Sequence, residues 1–392
     1  MIKDTIKSFK AKERLLLLLL LLILFCVHKT GMVTMLALWC MMFIVMIPLK
    51  YCNGRLLISL VVFTFLYGSI GVFTGFMTVN KLVSLCLPLV LFYGFGKFIV
   101  SRLQHPICLL LLLAILLMSY QFEIFITFLN GLISEGFTIN SSREFYLRGD
   151  YSRALSATLA GLNVSVSMVG LSAFFILKGN SKLRILYLLM FFIAISTTVY
   201  LLNRTGLVIA VLSTFVVLSY FYYNNRKALI IILMSVGLIF FFAYNGWGID
   251  IDILMAYEER NFDIQTAGQR TMKWTEAFNL LMQHPFGWSE NVLETQYYAH
   301  NMWLDIARVT GLMPFIALLV VTIKAAFIQL RLLKIHADPF VAVTTGLSAC
   351  FFLSCFVEPV YGGLHLFLWV MLWGMQEQYY LNYRNNCLNI RP

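Results

Sequence analysis

The chain has 392 residues, of which 60% are hydrophobic and only 12% charged, whereas soluble domains carry about 25% charged residues. That balance excludes an ordinary soluble enzyme and points to a polytopic membrane protein. The formal charge of +11 comes from lysines and arginines set between apolar runs; no basic stretch is interleaved with aromatics, so no nucleic-acid partner is read from it.

The apolar runs reach the roughly 20 residues that a helix needs to cross a bilayer, and none shows the short alternation of an outer-membrane barrel. The first, 15–27, follows Lys3, Lys7, Lys10, Lys12 and Arg14, much as the apolar part of a secretory signal would. No small-residue cleavage site follows it, and a second run, 32–48, begins a few residues later. The two are therefore expected to form a hairpin of retained spans. Further runs at 56–77, 82–100, 107–127, 153–177, 184–202, 205–222, 228–245, 302–328, 340–357 and 363–380 bring the expectation to about twelve transmembrane helices in an all-α bundle. With the amino terminus in the cytoplasm, most of the 29 Lys and Arg fall on the inner side, Lys97 and Lys324 among them, and both termini are cytoplasmic.

This single membrane domain, 1–392, is expected to expose two outer loops long enough to fold: 128–152, and 246–301 between helices 9 and 10. All eight cysteines fall in spans or at inner ends. With no CxxC pair and no His/Cys cluster at ligand spacing, neither an exported disulfide nor a metal site is expected.

In chain order, the first polar signal is the run that opens at Arg153, after Arg143 and Arg148, and holds Ser156, Thr158, Gly161, Asn163, Ser165 and Ser167. Small residues of this kind serve close helix packing; the rival reading is a groove wall. Arg204, in LLNRTGLVIAVL, joins two apolar spans. An arginine at membrane depth costs about 2.5–3.5 kcal/mol, so it either faces a partner or cavity or snorkels to the interface.

In the large loop, Met272, Ala277, Phe278, Leu281 and Met282 recur at roughly helical spacing between Gly268 and the His284-Pro285-Phe286-Gly287 stop. This predicts an amphipathic helix on the membrane surface. Arg270 then falls at or near the first turn, where unpaired backbone N–H groups also favour an anion; the alternative is a solvated arginine. The loop is net acidic, so an anion there depends on local cations such as Arg270 and Lys273.

The loop ends in Tyr297-Tyr298-Ala299-His300-Asn301, with Asp305 and Arg308 further on. Imidazole is the side chain suited to take a proton near neutral pH, although an interfacial histidine also serves structure. The aromatics fit an interface belt as well as a sugar platform. Glu358 and His365, at the last outer turn, fit a loop role or the lining of a cavity.

Three pieces in order, NRTG, QRTMKWTEAFNLLMQHPFGW and HNMWLDIARVTG, resemble the O-antigen ligase and O-antigen polymerase superfamily of bacterial inner-membrane glycosyltransferases. The resemblance is strongest over about residues 195–330, and the layout of spans with a large late loop agrees with it. It implies transfer of a glycan from undecaprenyl diphosphate to an acceptor hydroxyl at the periplasmic face, with inversion and with neither metal nor cofactor. The acceptor is the lipid A core in a ligase, or a second lipid-linked glycan in a polymerase, and membrane lipids are the surroundings.

By the same resemblance, Arg204 and Arg270 hold the diphosphate and His300 is the base. Asn301, Tyr297, Tyr298, Arg308, Arg153 and Lys273 are then expected around the substrate. The chain departs from the ligase pattern at Gly311-Leu312-Met313-Pro314, where a further small or polar residue is common. The proline is expected to kink the span, and the departure weakens the case for ligase over polymerase, with ligase kept first. A flippase for the same lipid-linked saccharides is the third reading. Against it stand the lack of a repeat between the two halves and the scarcity of charge at mid-membrane depth beyond Glu123.

Overall fold

A computed structural model of the chain describes residues 54–75, 77–102, 144–147, 150–156, 181–200, 204–222, 264–287, 299–335, 338–357 and 364–389, with isolated helical positions in 122–134 and at 230 and 234. The elements in these segments are α1 (Arg55–Phe73), α2 (Val79–Arg102), β1 (Glu144–Leu147), β2 (Asp150–Ser156), α3 (Ser181–Tyr200), α4 (Arg204–Tyr222), α5 (Ile264–Gln283), α6 (Met302–Thr310), α7 (Leu312–Leu332), α8 (Pro339–Val357) and α9 (Leu364–Asn389). The expected spans 15–27 and 32–48, and nearly all of 107–127 and 228–245, lie outside the described residues. Among the described residues, α1, α7 and α8 are long and apolar enough to cross a membrane.

Two compact units divide the chain, one made of Met1–Leu116, Lys273–Ile335 and Leu347–Pro392, the other of Leu117–Met272 and His336–Gly346. In the first, α2 and α9 make the most extensive contact, and glycine is the reason. A Cβ on Gly96 would meet the Met371 carbonyl oxygen, and one on Gly374 would meet the carbonyl oxygen of Tyr93. The two helices thus pack backbone to backbone, as small residues allow within membranes. Phe92 and Phe367 stack beside this crossing, with ring centroids 5.6 Å apart.

At one end of the crossing Lys97, only 2% exposed, pairs with Glu377 at 3.6 Å, and the Tyr93 hydroxyl donates to the same carboxylate. Lys97 is therefore a buried, paired charge. Gln376 adds a second polar knot by donating to Gln329 and, at 2.8 Å, to Ser348.

The next largest contact joins α7 to α1, where Lys324 Nζ donates to Ser59 Oγ at 2.6 Å. The opposite side of α7 exposes Met313, Ile316, Val320, Ile323, Phe327 and Leu330, while Pro314, Leu318, Val321, Thr322, Ala325 and Leu332 are buried. A stripe of this length would be anomalous facing water. Facing acyl chains it is ordinary. In the second unit α3 packs on α4, burying Met190, Ala194 and Thr197 of the one and Ile209, Ser213 and Val217 of the other. Asp338 accepts from the N–H of Val341 at 3.0 Å at the start of α8.

Three expectations are corrected. The run 302–328 is not one helix: Gly311, with φ +82°, ends the nine-residue α6 and begins α7. Apolar periodicity passes through the glycine unbroken and hid the break. Pro314 does not kink a span, because it occupies the first turn of α7, where a missing N–H costs nothing. Finally, the run expected as a helix from Arg153 starts in a strand: β1 and β2 pair antiparallel, Glu144 opposite Ser156 and Tyr146 opposite Ala154. The fold is otherwise helical among the described residues, as expected.

Candidate functional site

The residues around His300 form the best-defined polar arrangement of the first unit. His300 itself has φ +52°, the one left-handed non-glycine residue among those described. For an L-residue this conformation costs roughly 1–2 kcal/mol, and such strain persists only where the surroundings impose it.

The imposing contacts come from both sides. Asp305, in the first turn of α6, accepts from the N–H of Ala299 at 2.7 Å through Oδ1 and from the N–H of Asn301 at 3.2 Å through Oδ2. Trp274, on α5, donates its indole N–H to the Ala299 carbonyl at 2.8 Å. Asn301 is the N-cap of α6: its side-chain oxygen accepts from the N–H groups of Trp303 at 3.1 Å and Leu304 at 3.2 Å, which satisfies donors that a helix start leaves unpaired. Its amide nitrogen donates to the Phe356 carbonyl at 3.3 Å.

Beneath the loop lies an aromatic layer. Trp274 stands edge-on to Phe356 with centroids 5.0 Å apart. Trp303 contacts Phe352 at 5.5 Å and Trp369 at 6.4 Å and donates to Thr322 Oγ1 at 3.2 Å. Edge and tilted geometries of this kind favour ring pairs beyond the area they bury, so α6 is held to α7, α8 and α9 by one residue. Helix α6 is too short to cross a bilayer. Burial pushes the Asp305 carboxyl above its ordinary range, while the Ala299 N–H and the charge of Arg308 pull it back.

A second joint sets the end of α5. Gly287 has φ +93° and Gly311 φ +82°, and each lies against the backbone of the other's turn. A Cβ on Gly287 would sit 2.7 Å from the Val309 carbonyl oxygen, and one on Gly311 would meet that of Pro285. The Leu312 N–H donates to the same Pro285 carbonyl at 2.8 Å. The HPFG stop therefore docks on the break between α6 and α7.

The expected site residues divide as follows. His300 and Asn301 stand at the start of α6 and Arg308 in its last turn, and the charges of both His300 and Arg308 act on Asp305. Lys273 is half-buried on α5. Arg204 is the first residue of α4, Arg270 lies in α5 and Arg153 in β2; the side chains of these three, and Tyr297 and Tyr298 entirely, lie outside the described residues. Arg270 is not in the first turn of its helix, because α5 already runs from Ile264, so the argument from unpaired N–H groups does not apply to it.

The apolar residues of α5 divide between protein and surroundings. Ala277 and Leu281 are buried, whereas Met272, Phe278, Met282 and the following Phe286 are exposed. Trp274 and the paired role of Asp305 were not foreseen. Asp305 was visible as an acidic residue four positions after an N-capping asparagine; the contact of Trp274 with Ala299, 25 residues away, had no signal. Among the described residues no three His, Cys, Asp or Glu lie together as a metal site.

A polytopic helical protein with a histidine fixed in strained backbone at a helix start is an integral membrane protein carrying a built polar site. Residues 189–319 match the family model described as O-Antigen ligase, so this segment is similar to that family. The match runs from α3 into α7 and takes in NRTG, QRTMKW and HNMWLDIARVTG. No curated protein matches the chain.

Proposed function

We propose that the protein moves a glycan from undecaprenyl diphosphate to an acceptor hydroxyl at the periplasmic face of a bacterial inner membrane, with the lipid A core as acceptor. The observation that carries this reading is the family match over 189–319, which spans all three motifs. His300 takes the proton of the acceptor hydroxyl as its oxygen bonds to the anomeric carbon of the donor. The bond from that carbon to the diphosphate breaks, undecaprenyl diphosphate leaves with the electron pair, and the anomeric centre inverts. Arg204 and Arg270 neutralise the growing negative charge, since guanidinium groups offer paired donors to phosphate oxygens. Lys273, Arg153, Arg308, Asn301, Tyr297 and Tyr298 border the substrates.

One feature of α5 agrees with chemistry at the membrane surface. The exposed Phe278, Met282 and Phe286 suit a helix lying at the membrane surface. A polymerase, which differs only in its acceptor, is the second reading, favoured by Pro314 at the departure from the ligase pattern.

The test is the lipopolysaccharide of a deletion strain, complemented by the parent, His300→Ala or Arg270→Ala. A ligase predicts bare core with polymer retained on the carrier lipid, for the deletion and both variants at normal protein levels. Core bearing one repeat unit would establish the polymerase, and normal lipopolysaccharide in both variants would sink the mechanism.

A further inference from the structure

We propose that Asp305 is a positioning residue for the imidazole of His300, a role that rests on the reading of His300 as the base. Three backbone groups flanking that residue are pinned: the Ala299 N–H and the Asn301 N–H by the two Asp305 oxygens, and the Ala299 carbonyl by Trp274. These bonds restrict the backbone torsions of Ala299 and His300, so the imidazole is aimed from a held backbone. Asp305 is itself rooted in the first turn of α6, whose start is capped by Asn301. The grip is therefore closed: Asp305 holds the residue that caps the helix from which Asp305 projects.

Only a carboxylate performs this role. It offers acceptors on both oxygens, and both donors here are N–H groups. Asparagine keeps one acceptor and sets its own N–H₂ against the second donor, so Asp305→Asn removes one half of the grip with almost no change of volume. A group that acts solely by aiming His300 has a signature that a merely structural residue lacks: its loss should cost nothing once the imidazole is gone.

The experiment measures glycan transfer by the full-length protein, purified in detergent, with a polyprenyl-diphosphate-linked glycan as donor and lipid A core as acceptor. Asp305→Asn, His300→Ala and the double variant are compared with the parent. Asp305→Asn is expected to lower kcat about 10- to 100-fold, the scale of a misplacement near 1 Å, with KM for the donor unchanged. The double variant should be no slower than His300→Ala alone. A parental kcat in Asp305→Asn beside an impaired His300→Ala overturns the proposal, as does an equal loss from Asp305→Asn in both backgrounds. Normal transfer by His300→Ala instead removes the base reading itself. If Asp305→Asn does not accumulate, Asp305→Glu gives the same comparison: it keeps both acceptors but moves them outward by one methylene, kcat should again fall with KM kept, and a parental kcat overturns the proposal.

Discussion

At Asn301, next after the strained His300, one side chain does two things at once: it caps α6 with its oxygen and ties to the Phe356 carbonyl with its nitrogen. Removing such a cap costs about 0.5–2 kcal/mol, and here the tie to α8 is lost with it. Asn301→Ala is therefore expected to lower the thermal midpoint of the detergent-solubilised protein by several degrees, the scale on which about 1 kcal/mol registers, whereas Asn301→Asp, which keeps the capping oxygen, should lose less. A melting curve for Asn301→Ala that matches the parent would show that the cap is dispensable. This part of the site was partly legible, since His300 and Asn301 stand out as a polar pair before an apolar run. The conformation of His300 was not, because a positive φ in a residue other than glycine is dictated by surroundings that sequence does not display.

Among the elements, the break between α6 and α7 most affects the site, and it was the least visible in advance. Val309 to Leu318 reads as the middle of one amphipathic run, and only contact with residues 285–287 makes a turn of Gly311. Gly311→Ala forces a side chain into a left-handed position, at roughly 1–2 kcal/mol, and into the Pro285 carbonyl as well. The expected result is a protein made in reduced amount, destabilised by more than about 2 kcal/mol, and checked by folded yield after solubilisation. Parental yield and stability would mean that the two turns do not bear on each other. The hairpin was hidden for a different reason. Tyr151, Arg153 and Leu155 alternate with small residues after Gly149, a period-two pattern next to a turn residue, but it abuts a long apolar stretch and was absorbed into it. The helices α1, α2, α3, α4 and α8 were legible because length and hydropathy alone define them.

For the molecule as a whole, the stripe Met313, Ile316, Val320, Ile323, Phe327 and Leu330 is what a surface against acyl chains requires. Its middle should not tolerate charge, since lysine at the centre of a spanning helix costs about 2.5–3.5 kcal/mol on insertion scales. Val320→Lys is expected to lower the fraction of the protein that resists carbonate extraction from membranes, while Val320→Leu should leave it unchanged. Equal fractions for both would argue that this side of α7 faces protein or water. Composition made the membrane setting plain from the outset, but which side of each helix meets lipid depends on partners. The pairing of Lys97 with Glu377 is one such partner, which hydropathy does not display.

The joint between the HPFG turn and the break after α6 has one more implication. Because its two sides meet through main chain, the identities of nearby side chains such as Phe286 and Met313 can drift without loosening it, whereas added bulk at either glycine cannot be absorbed. Its tightness is thus a property of backbone volume, set where two turns meet rather than by the side chains around them.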